Sequence, residues 1–273
     1  MTEKTLNNRK NGMVVLLLLV LVYVASVVLF IFGVSYDILP LTLISCVWFV
    51  FGWIFFLGLK VLKPQEALVL TLFGKYVGTL KNSGFYFVNP FCTAVNPAAG
   101  TKLNQSGDVK VLGAKQPSGG VDVSIDIPTK KISLKIMTLN NNRQKINDCL
   151  GNPVEIGIAV MWRVVDTAKA VFNVDNYKEY LSLQCDSALR NIVRIYPYDI
   201  APNVDTAGDG IADEGSLRGS SEVVAARIKD EIQDKVSEAG IEILEARITY
   251  LAYAPEIAAV ILPRQEAPAL HDA

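Results

Sequence analysis

The sequence predicts an α+β fold that follows a pair of hydrophobic helices, and three observations support this prediction. Two uncharged apolar runs lie near the N-terminus, at residues 13–34 and 38–59. Short segments with apolar residues at every second position follow them, as expected for β-strands. A longer alternating run, helical patterns and a last alternating run then come in the order strand, helix, helix, strand. We therefore expect helices packed on one face of a mixed sheet.

The two apolar runs have the length of helices that span a bilayer. Neither contains Lys, Arg, Asp, Glu or His, and each is ~33 Å long as a helix, against a bilayer core of ~30 Å. Because only residues 35–37 separate them, the second helix must run back antiparallel to the first. We predict a membrane hairpin, since a signal peptide has a shorter apolar region and needs no second span. A shallow hairpin in one leaflet stays open as an alternative, because Pro40 can kink the second helix.

The charges that flank the hairpin predict its orientation. Basic residues precede the first run and follow the second, whereas the short connection carries only Asp37; the basic residues are Lys4, Arg9, Lys10, Lys60 and Lys63. Because basic flanks stay in the cytoplasm, residues 1–12 and everything after the hairpin are expected to lie there. The protein is thus predicted to be a multi-pass protein of the cell membrane.

Composition excludes several classes of function. The chain of 273 residues carries 26 basic and 27 acidic residues, and no basic stripe with interleaved aromatic residues indicates nucleic acid binding. Its four cysteines are scattered, with no CxxC pair and no metal-ligand spacing. Since the only histidine is His271, catalysis that needs a central imidazole is not expected.

The first half of the soluble part is predicted to be a β-meander followed by a polar insertion. Apolar alternation and turn residues place strands at 66–73, 76–80 and 85–88. Residues 96–128 are rich in Gly, Pro, Asn, Ser and Asp and are expected to be an insertion. Alternation returns at 131–139 and is predicted to end in a turn at Asn140, Asn141 and Asn142.

The second half is predicted to contain a long strand, helices and a closing strand. Residues 154–164 place six large apolar side chains on one face at period two. Asp166 is expected to cap a helix over 167–172, and Asn176 to cap a longer one that ends before Tyr196 and Pro197. A second polar insertion covers 202–220. The remaining predictions are a helix that starts at Ser221 and ends at Gly240, and a strand over 241–251.

Three segments resemble one known family. Residues 64–91 contain a strand, an F-G-K-Y turn and a closing G-F-Y-F-V-N-P. Residues 153–177 contain a central strand followed by R-V-V-D-T-A-K-A and V-D-N-Y, and A-L-R at 188–190 and GIEILEAR at 240–247 follow. In this order they resemble the SPFH or band 7 family of stomatins, prohibitins and flotillins, over residues 63–253.

The resemblance implies a membrane-anchored scaffold that is not an enzyme. Members of the family form large oligomers, organise membrane microdomains and often regulate membrane proteases or channels. The expected partners are therefore the lipid bilayer, further copies of the chain and a membrane protease or other integral membrane protein. Relatives normally continue into a long coiled-coil helix, but residues 254–273 contain Pro263 and Pro268 and are expected to form only a short tail. The chain is expected either to be a truncated version or to oligomerise without that helix.

One loop has a partial calcium-binding pattern. Asp205, Asp209 and Asp213 stand where positions 1, 5 and 9 of an EF-hand loop would fall, with Gly210 at position 6. Positions 3 and 12 are Ala207 and Ser216, so two oxygen donors are missing, and we prefer a solvated acidic loop without metal. No other catalytic, cofactor or metal site is predicted.

Two functional hypotheses remain from the sequence. The preferred one is a scaffold that self-associates at the membrane and organises microdomains or regulates membrane proteins. The alternative is an adaptor that restrains a single membrane protease without a large array. An enzyme or transporter with its site between the spans is disfavoured, because neither apolar run contains an ionisable residue.

Overall fold

The computed structural model describes residues 2–6, 11–103, 109–111, 129–199 and 215–256. It divides into two compact units. The first comprises Met1–Ala99 and Ile127–Lys135, and the second comprises Gly100–Asp126 and Ile136–Ala273.

The first unit begins with two antiparallel helices. Helix α1 covers Gly12–Ser35, and helix α2 covers Leu39–Phe51 and continues as a 3₁₀ helix over Gly52–Gly58. Asp37 takes a positive φ of 52° in the turn between them. The prediction of two apolar helices is confirmed, since both are long and apolar enough to cross a membrane. We call this segment, residues 12–58, the apolar hairpin.

The second helix differs from the prediction in its winding. Its last seven residues, Gly52–Gly58, form a 3₁₀ helix, which is longer than the usual run of three or four residues. Glycine at both ends of this segment weakens the preference for an α-helix. Because a 3₁₀ helix rises ~2.0 Å per residue, the whole segment still reaches roughly 33 Å. Pro40 lies in the first turn of α2, where it breaks no hydrogen bond and starts the helix instead of kinking it.

A seam of small residues lets the two helices approach each other. The buried residues of α1 recur at every seventh position: Gly12, Leu19, Ser26 and Gly33. A Cβ added at Gly33 would stand 2.7 Å from the Thr42 hydroxyl, and one at Gly52 would stand 3.1 Å from the Tyr23 ring. Such close approach by small residues is the usual packing of helices in lipid.

A small β-structure continues directly from the hairpin. Strand β1 (Leu59–Leu62) pairs with β4 (Gly84–Phe87), and a second sheet has the order β3-β2-β5, with β8 paired to the start of β2. Their ranges are β2 Glu66–Leu72, β3 Lys75–Leu80, β5 Cys92–Ala94 and β8 Ile132–Ser133. Buried residues of five strands and Val88 form the core: Leu62, Leu68, Leu70, Leu80, Tyr86, Val88 and Cys92.

The N-terminal segment returns to this β-structure. Thr5 forms a parallel bridge with Thr79, and the Leu6 amide donates to the Thr79 carbonyl at 2.9 Å. Residues before α1 and residues after α2 therefore meet, as expected when both ends of a hairpin emerge on one side.

The second unit is a three-stranded antiparallel sheet with helices on it. The strand order is β11-β10-β9, and a separate hairpin pairs β6 with β7. Helices α4 and α5 pack on each other, α4 contacts β9 and α5 contacts β11. The ranges are β6 Thr101–Leu103, β7 Val109–Val111, β9 Met137–Asn147, β10 Pro153–Val164, β11 Ile241–Tyr253, α3 Thr167–Phe172, α4 Tyr177–Val193 and α5 Ser221–Val236. Trp162 and Tyr177 meet edge to face in the core, with ring centroids 6.3 Å apart.

The predicted caps are confirmed. The Asp166 carboxylate accepts from the Lys169 amide at 2.9 Å, and the Asn176 side chain accepts from the Lys178 amide at 3.2 Å. Gly240 is left-handed, with φ of 67°, after a 3₁₀ turn over Ser237–Ala239.

The α+β class is confirmed, with three differences in detail. A mixed sheet was predicted, but the pairings between the described strands are antiparallel. Among the described residues, the one parallel pairing is the isolated bridge between Thr5 and Thr79. The predicted turn at 140–142 is wrong, because these residues continue β9, and Asn141 is buried with a side-chain partner. The predicted insertion at 96–128 contains β6 and β7 among its described residues.

Candidate membrane anchor and interaction surfaces

The outward side of the apolar hairpin consists of exposed aliphatic and aromatic side chains. Leu17 of α1 is 63% exposed and Leu39 of α2 is 71% exposed. At most 17% of either candidate span is buried inside the protein. An apolar surface of this extent in contact with water would be strongly unfavourable, so it requires a covering such as a lipid bilayer.

The polar groups inside the hairpin are mostly satisfied within it. The Ser26 hydroxyl donates to the Tyr23 carbonyl at 2.8 Å, and the Ser45 hydroxyl donates to the Leu41 carbonyl at 2.8 Å. Among the described hairpin residues, the Trp48 indole N–H is a buried donor without a partner. Internal satisfaction of hydroxyls is what a hydrocarbon environment demands.

Two exposed phenylalanines lie close to the end of the hairpin. Phe73 is 87% exposed and Phe91 is 58% exposed, and their rings stack with centroids 6.4 Å apart. The Val88 amide donates to the Gly58 carbonyl at 2.9 Å. Phe91 follows Val88 by three residues, so at most ~10 Å of extended chain separates Phe91 from the residue that is bonded to the end of the second helix.

Phe73 is presented by a strained turn. Its φ is 49°, and Gly74 follows with φ of 81°. A left-handed conformation is uncommon for a bulky residue, and here it points a large ring outward instead of into the core. Sequence alternation places Phe73 at the end of a strand but gives no indication of its pairing with Phe91.

The sequence-predicted sites are only partly covered by the structure. Asp205, Asp209 and Asp213 lie outside the described residues, so the calcium loop is not tested. Within the described ranges, no group of three or more His, Cys, Asp or Glu residues has an arrangement that could hold a metal ion. The Lys131 ammonium forms an ion pair with Glu66 at 2.9 Å, which holds the pKa of Glu66 below its usual value.

Arg190, which the resemblance singles out, is exposed on α4. Together with Lys145, Asp148 and Arg194 it lines a shallow cavity of about 480 Å³. Within the part of the chain that the structure describes, Arg190 forms no ion pair.

Two polar networks that the sequence did not predict organise β9. The Asn141 amide donates to Asp186 on α4, and the Gln144 amide donates to the same oxygen at 2.6 Å. At the other end, Asp148 is 5% exposed and accepts from the Leu150 and Asn152 amides at 2.9 and 2.8 Å. The run Asn140, Asn141 and Asn142 is typical of a turn, and the sequence gives no sign that Asp186 on α4 accepts a hydrogen bond from Asn141.

Burial is the largest cause of the pKa shifts of four groups in the second unit: Tyr177, Lys178, Cys149 and Cys185. Burial raises the pKa of Tyr177 to about 12 and raises the pKa of the Cys185 thiol. Burial lowers the pKa of Lys178, whose ammonium donates to the Thr101 carbonyl at 2.7 Å. Cys149 is exposed as a residue, but partial burial of its thiol and the charge of Asp148 raise the pKa of that thiol.

A groove runs between α5 and the free edge of β11. It has a volume of about 630 Å³ and is lined by residues 244–248 of the strand and by a stripe of α5 that includes Glu222, Ala225, Ala226 and Lys229. In the described sheet, β11 pairs with β10 on one side only. We call this feature the α5–β11 groove.

A family model described as SPFH domain / Band 7 family matches residues 60–270. No curated protein matches the chain.

Proposed function

This chain belongs to the SPFH domain / Band 7 family, and from that premise we propose that it is a non-enzymatic scaffold, anchored in the membrane by the apolar hairpin. Proteins of this family generally associate with membranes and oligomerise. The proposed role is to self-associate in the plane of the membrane and thereby organise microdomains or regulate neighbouring membrane proteins.

The observation that carries this proposal is the direct connection between the hairpin and the family domain. The last helical residue is Gly58 and β1 begins at Leu59, so no linker separates the exposed apolar surface from the folded β-structure. The hydroxyls of Ser26 and Ser45 are satisfied within their own helices. Phe73 and Phe91 add two exposed apolar rings near this end, and exposed apolar surface of this kind is buried favourably in lipid.

The mechanism is physical. Confinement of the domain to a plane raises its effective concentration, so that contacts too weak to hold copies together in solution become sufficient. An array formed in this way excludes or recruits other membrane proteins by its geometry. The basic residues around the hairpin support a cytoplasmic position for the β-structure and the second unit.

Anchorage and orientation are tested together by labelling a native cysteine. Cys149 is exposed, whereas Cys92 and Cys185 are buried and Cys46 lies in α2 of the apolar hairpin. A membrane-impermeant maleimide is expected to label Cys149 in inside-out vesicles and not in right-side-out vesicles, and the protein is expected to stay in the membrane at alkaline pH. Because the pKa of Cys149 is raised, less thiolate is present at a given pH, and the labelling rate should be lower than that of an unperturbed thiol at the same pH.

The C149S variant is the control and should lose the label. Release of the protein by alkaline carbonate would contradict the anchor, and labelling in right-side-out vesicles would contradict the orientation alone.

The alternative role, an adaptor for a single membrane protease, makes a different prediction. It requires a monomer or dimer that co-purifies with one stoichiometric integral membrane protein. A large homo-oligomer without such a partner supports the scaffold.

A further inference from the structure

The free edge of β11 is closed at one end and open along the next five residues. The Gln233 side chain accepts from the Ile243 amide at 2.7 Å and donates to the Ile241 carbonyl at 3.2 Å. It therefore occupies the edge as a neighbouring strand would. Residues 244–248 follow and line the α5–β11 groove. An edge with unpaired backbone groups is a template for pairing with another strand.

The side chains along this open edge are self-complementary. Two copies of β11 that meet antiparallel about Ala246 place Glu245 of each copy opposite Arg247 of the other, while Leu244 lies at a bulge in the pairing of β11 with β10. Glu245 and Arg247 are partly exposed, at 42% and 65%, and already form an ion pair with each other within one chain, so two copies that meet here bring two such pairs together in one network of four charges. Opposite charges directly across an antiparallel pair stabilise it. A register shifted by one residue, so that the two copies of Glu245 face each other, would instead place two negative charges opposite each other.

The α5 side of the groove has the same symmetry. Glu222, Ala225, Ala226 and Lys229 form one stripe of the helix. If two α5 helices cross antiparallel between Ala225 and Ala226, Glu222 of each copy faces Lys229 of the other. The two alanines at the crossing leave room for close approach.

We infer that the α5–β11 groove is an interface for a second copy of this chain, in which two β11 edges pair antiparallel about Ala246 and join two three-stranded sheets into one of six strands. This inference rests on the proposed self-association and names the surface that performs it. The pairing is centred on residues 245–247, because Gln233 closes the edge at Ile243 and β11 has bulges at Leu244 and Thr249.

Charge reversal with subunit mixing tests the interface. In the E245R variant, the new Arg side chain faces Arg247 of the other copy, so two positive charges meet. In the R247E variant, the new Glu side chain faces Glu245 of the other copy, so two negative charges meet. The mass of the full-length protein in nanodiscs, measured by native mass spectrometry, is therefore expected to fall twofold or more for either variant. Co-expression of the two variants restores complementary pairs and should return the wild-type mass, as should the double variant E245R/R247E.

The opposite edge of the same sheet supplies the control. Lys145 of β9 forms an exposed ion pair with Glu256 at 2.7 Å, and K145E or E256R makes the same change of charge away from the groove. Both are expected to keep the wild-type mass. The proposed interface would be overturned if both single groove variants kept the wild-type mass. It would also be overturned if co-expression of E245R and R247E did not restore that mass. A monomeric wild-type protein would instead refute the proposed self-association itself.

Discussion

At the scale of single residues, Asp186 shows how a polar group fixes the position of an edge strand. Asn141 is 4% exposed and donates to Asp186. We expect D186A to destabilise the second unit by about 1–3 kcal/mol, because a buried amide then loses its acceptor. Unfolding in nanodiscs can be followed by the fluorescence of Trp162, which is 1% exposed.

The matched control for that substitution is D234A. Asp234 is exposed on α5, and its removal should change the free energy of unfolding by less than about 0.5 kcal/mol. Equal effects of the two substitutions would show that the network of Asn141 and Asp186 contributes nothing specific.

At the scale of elements, Gly240 determines how α5 is joined to β11. Its φ is 67°, and an added Cβ would stand far inside contact distance of the Asp166 carbonyl. Its own carbonyl accepts from the Val165 and Asp166 amides at 2.9 and 3.1 Å. G240A is expected to cost about 2–5 kcal/mol, as the sum of left-handed strain and overpacking.

Gly151 separates these two contributions. It also has a positive φ, 85°, but an added Cβ there meets no atom within 4 Å. G151A should therefore show the strain alone, about 1–2 kcal/mol in the same unfolding measurement. If G240A lowered the free energy of unfolding by no more than G151A does, the close packing of Gly240 against Asp166 would be contradicted.

The elements also show what a sequence can predict. Local sequence patterns were sufficient to predict α1, β10 and the cap of Asn176. The spacing of apolar residues and the chemistry of a helix cap both depend only on residues that are close in sequence. Local patterns were insufficient for β9, where Asn140 and Asn141 stay extended because β10 pairs with them and Asp186 binds Asn141. The stacking of Phe73 on Phe91 and the charge symmetry about Ala246 likewise depend on tertiary structure.

At the scale of the whole molecule, two surfaces carry the proposed function. In the proposed role, the apolar hairpin anchors the chain in a membrane, and the α5–β11 groove is the face that binds a second copy.

The mass of the full-length wild-type protein in lipid nanodiscs tests the central claim most directly. Native mass spectrometry or light scattering is expected to show an assembly of many copies, because confinement to a plane makes weak contacts between domains sufficient. A monomer at every protein concentration would contradict the scaffold, and the search would then turn to a single membrane partner.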